Sequence, residues 1–174
     1  MKWCVCVLSF FAASTAVLYY LILLEENQKS PVEHLRPSFD KHYRLFGGDE
    51  NVNRVLRRIG VNPMNVHLGY SVPEVVVLKA EDDVYSLTQY YQLTKVELRF
   101  KLGEEFEETC VHNGGSLRSV ITQFKNNLTH VQIREGNRFP LITRRVFKAE
   151  ELVVELRVGD LASSLVYLPV REET

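Results

Sequence analysis

The chain has 174 residues, 45% of them hydrophobic and 25% charged, which is the composition of a folded globular domain with an appendage and not of a disordered one. A net charge of -1 lacks the basic excess that nucleic-acid binding requires. Three cysteines (Cys4, Cys6 and Cys110) and five scattered histidines (His34, His42, His67, His112 and His130) supply neither a disulfide framework nor metal-ligand spacing, so no cofactor or metal is expected.

Trp3 to Leu24 carries no charge, and at about 1.5 Å per residue a helix of that length would cross a bilayer. Small residues occur at Ala12–Ala16, but Val17–Leu24 stays apolar beyond them, so residues 1–24 read as an N-terminal hydrophobic helix, an uncleaved signal anchor in preference to a cleaved signal. If it inserts, Lys2 and the terminal amine place the N-terminus in the cytosol and the domain on the other side, where the sequon Asn127-Leu128-Thr129, in an expected turn, would be open to glycosylation. If the leader is not expressed, the protein is cytoplasmic. Glu25 to Pro37 is polar and aperiodic and reads as a linker to a domain that begins at Lys41.

A first short strand, Lys41–Phe46, is expected to end at Gly47-Gly48. Val52, Val55, Leu56 and Ile59 then form one apolar helical stripe, with Asp49 as candidate N-cap and Gly60 as stop. Asn62 and Pro63 open a second helix that carries Met64, Val66 and Leu68. Arg54, Arg57 and Arg58 lie on the outer side of the first helix, where they form either a solvated face or a contact for anionic membrane, each on the order of 1 kcal/mol near such a leaflet.

After Pro73 the pattern is strands alone. Lys95–Lys101 alternates strictly, with Val96, Leu98, Phe100 and Leu102 on one face and Lys95, Glu97, Arg99 and Lys101 on the other. Further strands are expected at Glu74–Lys79, Val84–Tyr90, Glu104–Val111, Leu117–Phe124, Leu128–Arg134, Phe139–Phe147, Leu152–Val158 and Leu161–Val170. Pro140 should mark a bulge or an unpaired position, and Glu104–Glu108 reads as an acidic strand surface. Ten evenly spaced antiparallel strands favour an all-β, up-and-down closed barrel of lipocalin or calycin type, wide enough for a ligand, with the two helices as a helix-turn-helix lid.

The polar residues on the inner wall decide what such a barrel holds. In Phe139–Phe147 the face with Phe139, Leu141 and Phe147 also carries Thr143 and Arg145, although a one-residue slip would bury Arg144 instead. A buried guanidinium needs an anion or a hydrogen-bonded partner, and a carboxylate fits it bidentately. Gln132, His130, Leu156 and Val154 are further inward candidates, with Val131 and Ile133 competing for that face. Phe106, Tyr90, Met64 and Val55 read as wall or lid, and Cys110 as a small hydrophobe. No nucleophile constellation or phosphate loop is present, so the chain is not read as an enzyme.

Phe100-Lys101-Leu102-Gly103-Glu104-Glu105-Phe106-Glu107-Glu108-Thr109 closely resembles the mid-chain signature of the intracellular lipid-binding proteins, the fatty-acid-binding protein family, and the resemblance runs from about Lys41 to Glu172. It implies a monomeric, non-enzymatic carrier of a long-chain fatty acid, with the helix pair as a lid and Arg145 matching the family's inward arginine. Many members add an Arg-x-Tyr pair on the last strand; here Tyr167 matches but Leu165 stands where the arginine would be. That loss implies weaker carboxylate binding. Three readings stay open: a fatty acid held mainly by Arg145, as in the intestinal type; a neutral lipid or retinoid, though retinol-binding relatives carry glutamines at the arginine positions; or a membrane-tethered structural module whose ligand site has decayed.

Overall fold

The computed structural model describes residues 32–62, 64, 71–110, 114–137 and 139–170. The expected N-terminal hydrophobic helix and nearly all of the second lid helix lie outside the described residues. Among those described, no helix is long and apolar enough to cross a membrane.

Ten strands pair antiparallel: β1 His42–Gly48, β2 Val75–Glu81, β3 Val84–Tyr90, β4 Lys95–Phe100, β5 Glu105–Thr109, β6 Ser116–Phe124, β7 Asn127–Ile133, β8 Leu141–Phe147, β9 Leu152–Val158 and β10 Leu161–Pro169. Apart from β4 and β5, consecutive strands are neighbours in the sheet, and β1 closes onto β10, so the order runs β4-β3-β2-β1-β10-β9-β8-β7-β6-β5. Closure by pairing removes every edge but two, those of β4 and β5. No backbone ladder joins these two strands. A ring stack spans the gap instead: Phe100 of β4 lies 6.2 Å from Phe106 of β5 at 19°, with Tyr85 stacked behind Phe100 and His130 behind Phe106. Gly103, at φ 76°, turns the chain between the strands while its N–H donates to the Ile121 carbonyl.

Alternation sets the interior. Leu98 and Phe100 point inward and are buried, as the strict period of β4 requires. Tyr43, Leu78, Tyr85, Leu87, Ile121, Leu128, Phe147 and Leu152 join them in one apolar core. The stretch expected to be a linker holds a helical turn, α1 (Val32–Leu35), followed by a 3-10 turn, Arg36–Ser38. Leu35 is fully buried in the core, so from there on the segment is packed structure. One turn presents too few positions for periodicity to reveal it.

Gly47-Gly48 are the last two residues of the first strand and not a turn beyond it: both pair with β10, and a bulge between Leu45 and Gly47 swings Phe46 out to solvent. A Cβ on Gly48 would lie 2.6 Å from Leu165 Cδ2 and 3.1 Å from Val52 Cγ2. Gly48→Ala is therefore expected to destabilise the fold by about 1–3 kcal/mol through overpacking, read as a lower urea midpoint with unchanged slope. An unchanged midpoint would contradict the close packing of helix on strand.

The expected apolar stripe forms α2 (Val52–Arg58), with Val52, Val55 and Leu56 buried and Arg54, Arg57 and Arg58 outside. It ends in a Schellman motif: the Val61 N–H donates to the Leu56 carbonyl, and the N–H of Gly60, at φ 86°, donates to the Arg57 carbonyl. Asn51, not Asp49, occupies the N-cap position. Asp49 Oδ2 accepts from the Ser164 N–H at 2.6 Å and Oδ1 from the Asn51 N–H at 2.8 Å, which ties the helix entry to β10. Met64 N donates to Asn62 Oδ1 at 2.8 Å, the contact expected of a cap at Asn62.

Of the two expectations for Pro140, the unpaired position holds and the bulge does not: Pro140 precedes β8, which starts at Leu141, and Phe139 packs outside over Gly159. The turn expected at Asn127 is corrected. Asn127 opens β7, opposite Phe124 and Val146, and is half-buried; the turn is made by Lys125 and Asn126.

Candidate binding site

Four registered strands carry the inner wall at its deep end. Leu165 of β10 lies opposite Val154 of β9, Val154 opposite Arg145 of β8, and Arg145 opposite Leu128 of β7. The possible slip on β8 is settled by its two faces: Thr143 and Arg145 are buried, while Arg144 lies outside, 3.4 Å from Glu155. Arg145 is 5% exposed, and its Nη2 donates to Gln89 Oε1 at 3.5 Å, the outer limit of a hydrogen bond. Burial pushes its guanidinium down from the usual range, against the pull of Tyr91, Tyr167 and Glu108.

Arg145 faces an internal cavity of about 140 Å³, room for on the order of ten water molecules. Leu165, Val154, Leu156, Gln132 and Tyr167 line it; Val154, Leu156 and Gln132 are inward candidates of the strand pattern, Leu165 and Tyr167 of the family resemblance. Tyr167 donates its hydroxyl proton to the Pro73 carbonyl at 3.0 Å, and burial raises its phenol above the ordinary range. Burial also pushes the Tyr91 phenol, another wall residue, up to about 12.

The helical contribution differs from the expectation. Leu56 and Ile59 of α2 line the cavity, whereas Val55 is buried without lining it and Met64 is 66% exposed. Phe106 is half-buried in the ring stack beside the gap, and Tyr90 lies largely outside. His130 and Gln132 do face inward; Val131 and Ile133 take the outer face. Cys110 is half-buried and lines the cavity just past the end of β5.

Glu108 is the residue whose role the sequence pattern concealed. Far from lying on an acidic surface, it is buried inside the barrel. Its Oε1 accepts from Ser119 Oγ and from Gln132 Nε2 at 2.7 Å, and stands 2.9 Å from His130 Nε2. The signal was parity: Phe106 was already read as wall, and Glu108 two residues on shares its face. Burial alone would raise the Glu108 carboxyl, but His130 beside it and the hydrogen bonds from Ser119 and Gln132 outweigh burial and hold it below the usual range. Burial lowers His130 despite the neighbouring carboxylate, with Arg145 adding to the lowering. The cavity wall thus carries a buried cation, Arg145, a half-buried one, Arg134, one anion, Glu108, and a neutral imidazole.

This cluster makes stability pH-dependent with a definite sign. Below about pH 6.5 the unfolded chain protonates a histidine that the fold keeps neutral, and below about pH 4.3 it protonates a carboxyl that the fold keeps ionised. In both windows the unfolded state binds more protons, so stability falls as pH falls. The urea midpoint is expected to drop between about pH 7.5 and pH 5, and His130→Gln should flatten that drop. An equal drop in the variant would contradict a neutral buried His130.

No family model matches the chain. It is 34% identical over 119 residues to the muscle fatty acid-binding protein of Schistocerca gregaria, a match that covers 67% of this chain and 86% of that one. It is 32% identical over 125 residues to a fatty acid-binding protein of Tyrophagus putrescentiae, covering 72% and 92%. The crystal structure of the fatty acid-binding protein from Drosophila melanogaster brain tissue superposes with a TM-score of 0.67 at 30% identity, covering 75% of this chain and 98% of that one. Sequence and barrel topology agree: the chain belongs to the fatty-acid-binding protein family.

Proposed function

We propose that the protein binds and carries one long-chain fatty acid inside the barrel. A single observation supports this most strongly: Arg145 is a buried cation that faces an apolar-walled cavity and has only a marginal hydrogen bond to protein. Glu108 acts on it only through space, and a ligand carboxylate would supply the directly hydrogen-bonded anion that such a group lacks. The chain would be desolvated along Leu165, Val154 and Leu156, at about 0.8 kcal/mol per buried methylene. Tyr167 would turn its hydroxyl from the Pro73 carbonyl to the ligand. Binding without covalent chemistry is enough for a carrier, and the exposed Arg54 and Arg57 would favour contact with anionic membrane during transfer.

Calorimetric titration of the delipidated full chain with oleate tests the reading. The expected result is saturable binding near one equivalent. No binding by a folded protein would overturn it.

A further inference from the structure

The Arg145 contact explains one end of an amphiphile. It does not explain the polar cluster further up the wall, where an all-methylene chain would find no hydrogen-bonding use. Leu128, His130 and Gln132 follow one another on the inner face of β7, and Leu128 is the cross-strand partner of Arg145. His130 and Gln132 therefore lie about 7 and 13 Å along the strand from Arg145. A fatty acid anchored at Arg145 would pass them toward the middle of its chain.

The cluster is built and partly unsatisfied. The donors on Glu108 converge on one oxygen, Oε1, reaching it from β6 and β7. His130 is almost wholly buried, and its Nε2, though 2.9 Å from that oxygen, makes no directed hydrogen bond. The aromatic stack through Phe106 fixes the ring from one side. An unpartnered ring nitrogen beside a carboxylate matches a group that both donates and accepts. A hydroxyl does so, giving its proton to Glu108 and accepting from His130 or Gln132. A ketone only accepts, and a methylene does neither.

We propose that Glu108, His130 and Gln132 form a hydroxyl-binding subsite, and that the preferred ligands are fatty acids hydroxylated near mid-chain. This rests on the fatty-acid reading above and narrows its ligand class. Burying this cluster against methylene leaves polar groups without partners, which is how such a site discriminates.

The test compares dissociation constants of the full chain for stearate, for stearate hydroxylated near mid-chain, and for ω-hydroxystearate. The mid-chain hydroxy acid should bind about tenfold tighter than stearate, and the ω-hydroxy acid should gain nothing. Glu108→Gln and Gln132→Leu should each bring the ratio of the first two constants toward unity; the ratio is insensitive to partial loss of folded protein. Stearate binding as tightly as the mid-chain hydroxy acid, or a ratio that survives both substitutions, overturns the subsite while leaving a fatty-acid carrier in place. If none of the three acids binds, the fatty-acid reading falls and the subsite with it.

Discussion

Arg145→Gln is expected to weaken oleate binding by one to two orders of magnitude while the barrel stays folded. A charge-assisted hydrogen bond contributes about 1.5–3 kcal/mol, and glutamine keeps a donor but loses the charge and the bidentate fork. The change falls on ligand binding because the arginine is so little used by the protein itself: its hydrogen bond to Gln89, at 3.5 Å, is marginal. Calorimetry gives the affinity, and circular dichroism with urea unfolding gives the fold. Unchanged affinity in a folded variant would mean that the head group lies elsewhere. The ligand would then be better read as a neutral amphiphile, for which Glu108 already balances Arg145.

Leu165→Arg is expected to work in the opposite direction. Leu165 and Arg145 flank Val154 on adjacent strands, so their Cα atoms are about 10 Å apart, and two long side chains converging from there can hold one carboxylate between them. Oleate should bind ten- to a hundredfold tighter. The empty protein should become less stable, because a further buried cation enters the wall without a new anion and an aliphatic contact beside Gly48 and Val52 is lost. Saturating oleate should recover the thermal midpoint, by more than it raises that of the wild type. A variant that folds but binds oleate no better would show that position 165 does not face the head group.

The two substitutions act on features that were legible to different degrees. Strict alternation in Lys95–Leu102 marked the inner face of β4, and β3 and β9 begin and end where their turn residues indicate. Arg145 was ambiguous by one residue on β8, since Arg144 and Arg145 are chemically equivalent to a pattern. Cross-strand company resolves it: Arg144 finds Glu155 outside, and Thr143 shares the buried face with Arg145. Glu108 was hidden by its surroundings, because Glu104, Glu105 and Glu107 make the segment look uniformly solvated. Only its three partners from β6 and β7, distant in sequence, make its burial tolerable.

The glycines misled for a related reason. Gly47-Gly48 is a stop signal in local grammar, but Gly48 is glycine because Leu165 and Val52 occupy the space a Cβ would need. The contact with Leu165 joins residues more than a hundred positions apart. The gap between β4 and β5 is equally non-local, since it depends on which strands find partners and not on either strand's composition. Leu35 sits in a segment of one helical turn and shows its importance only through burial.

The central claim is that a fatty acid occupies the cavity with its carboxylate on Arg145. It is tested most directly by mass spectrometry of lipid that co-purifies with the full chain and with Arg145→Gln. The account predicts fatty acid near one equivalent on the wild type and clear depletion on the variant. Wild-type protein that carries no lipid and takes up no added oleate would contradict it.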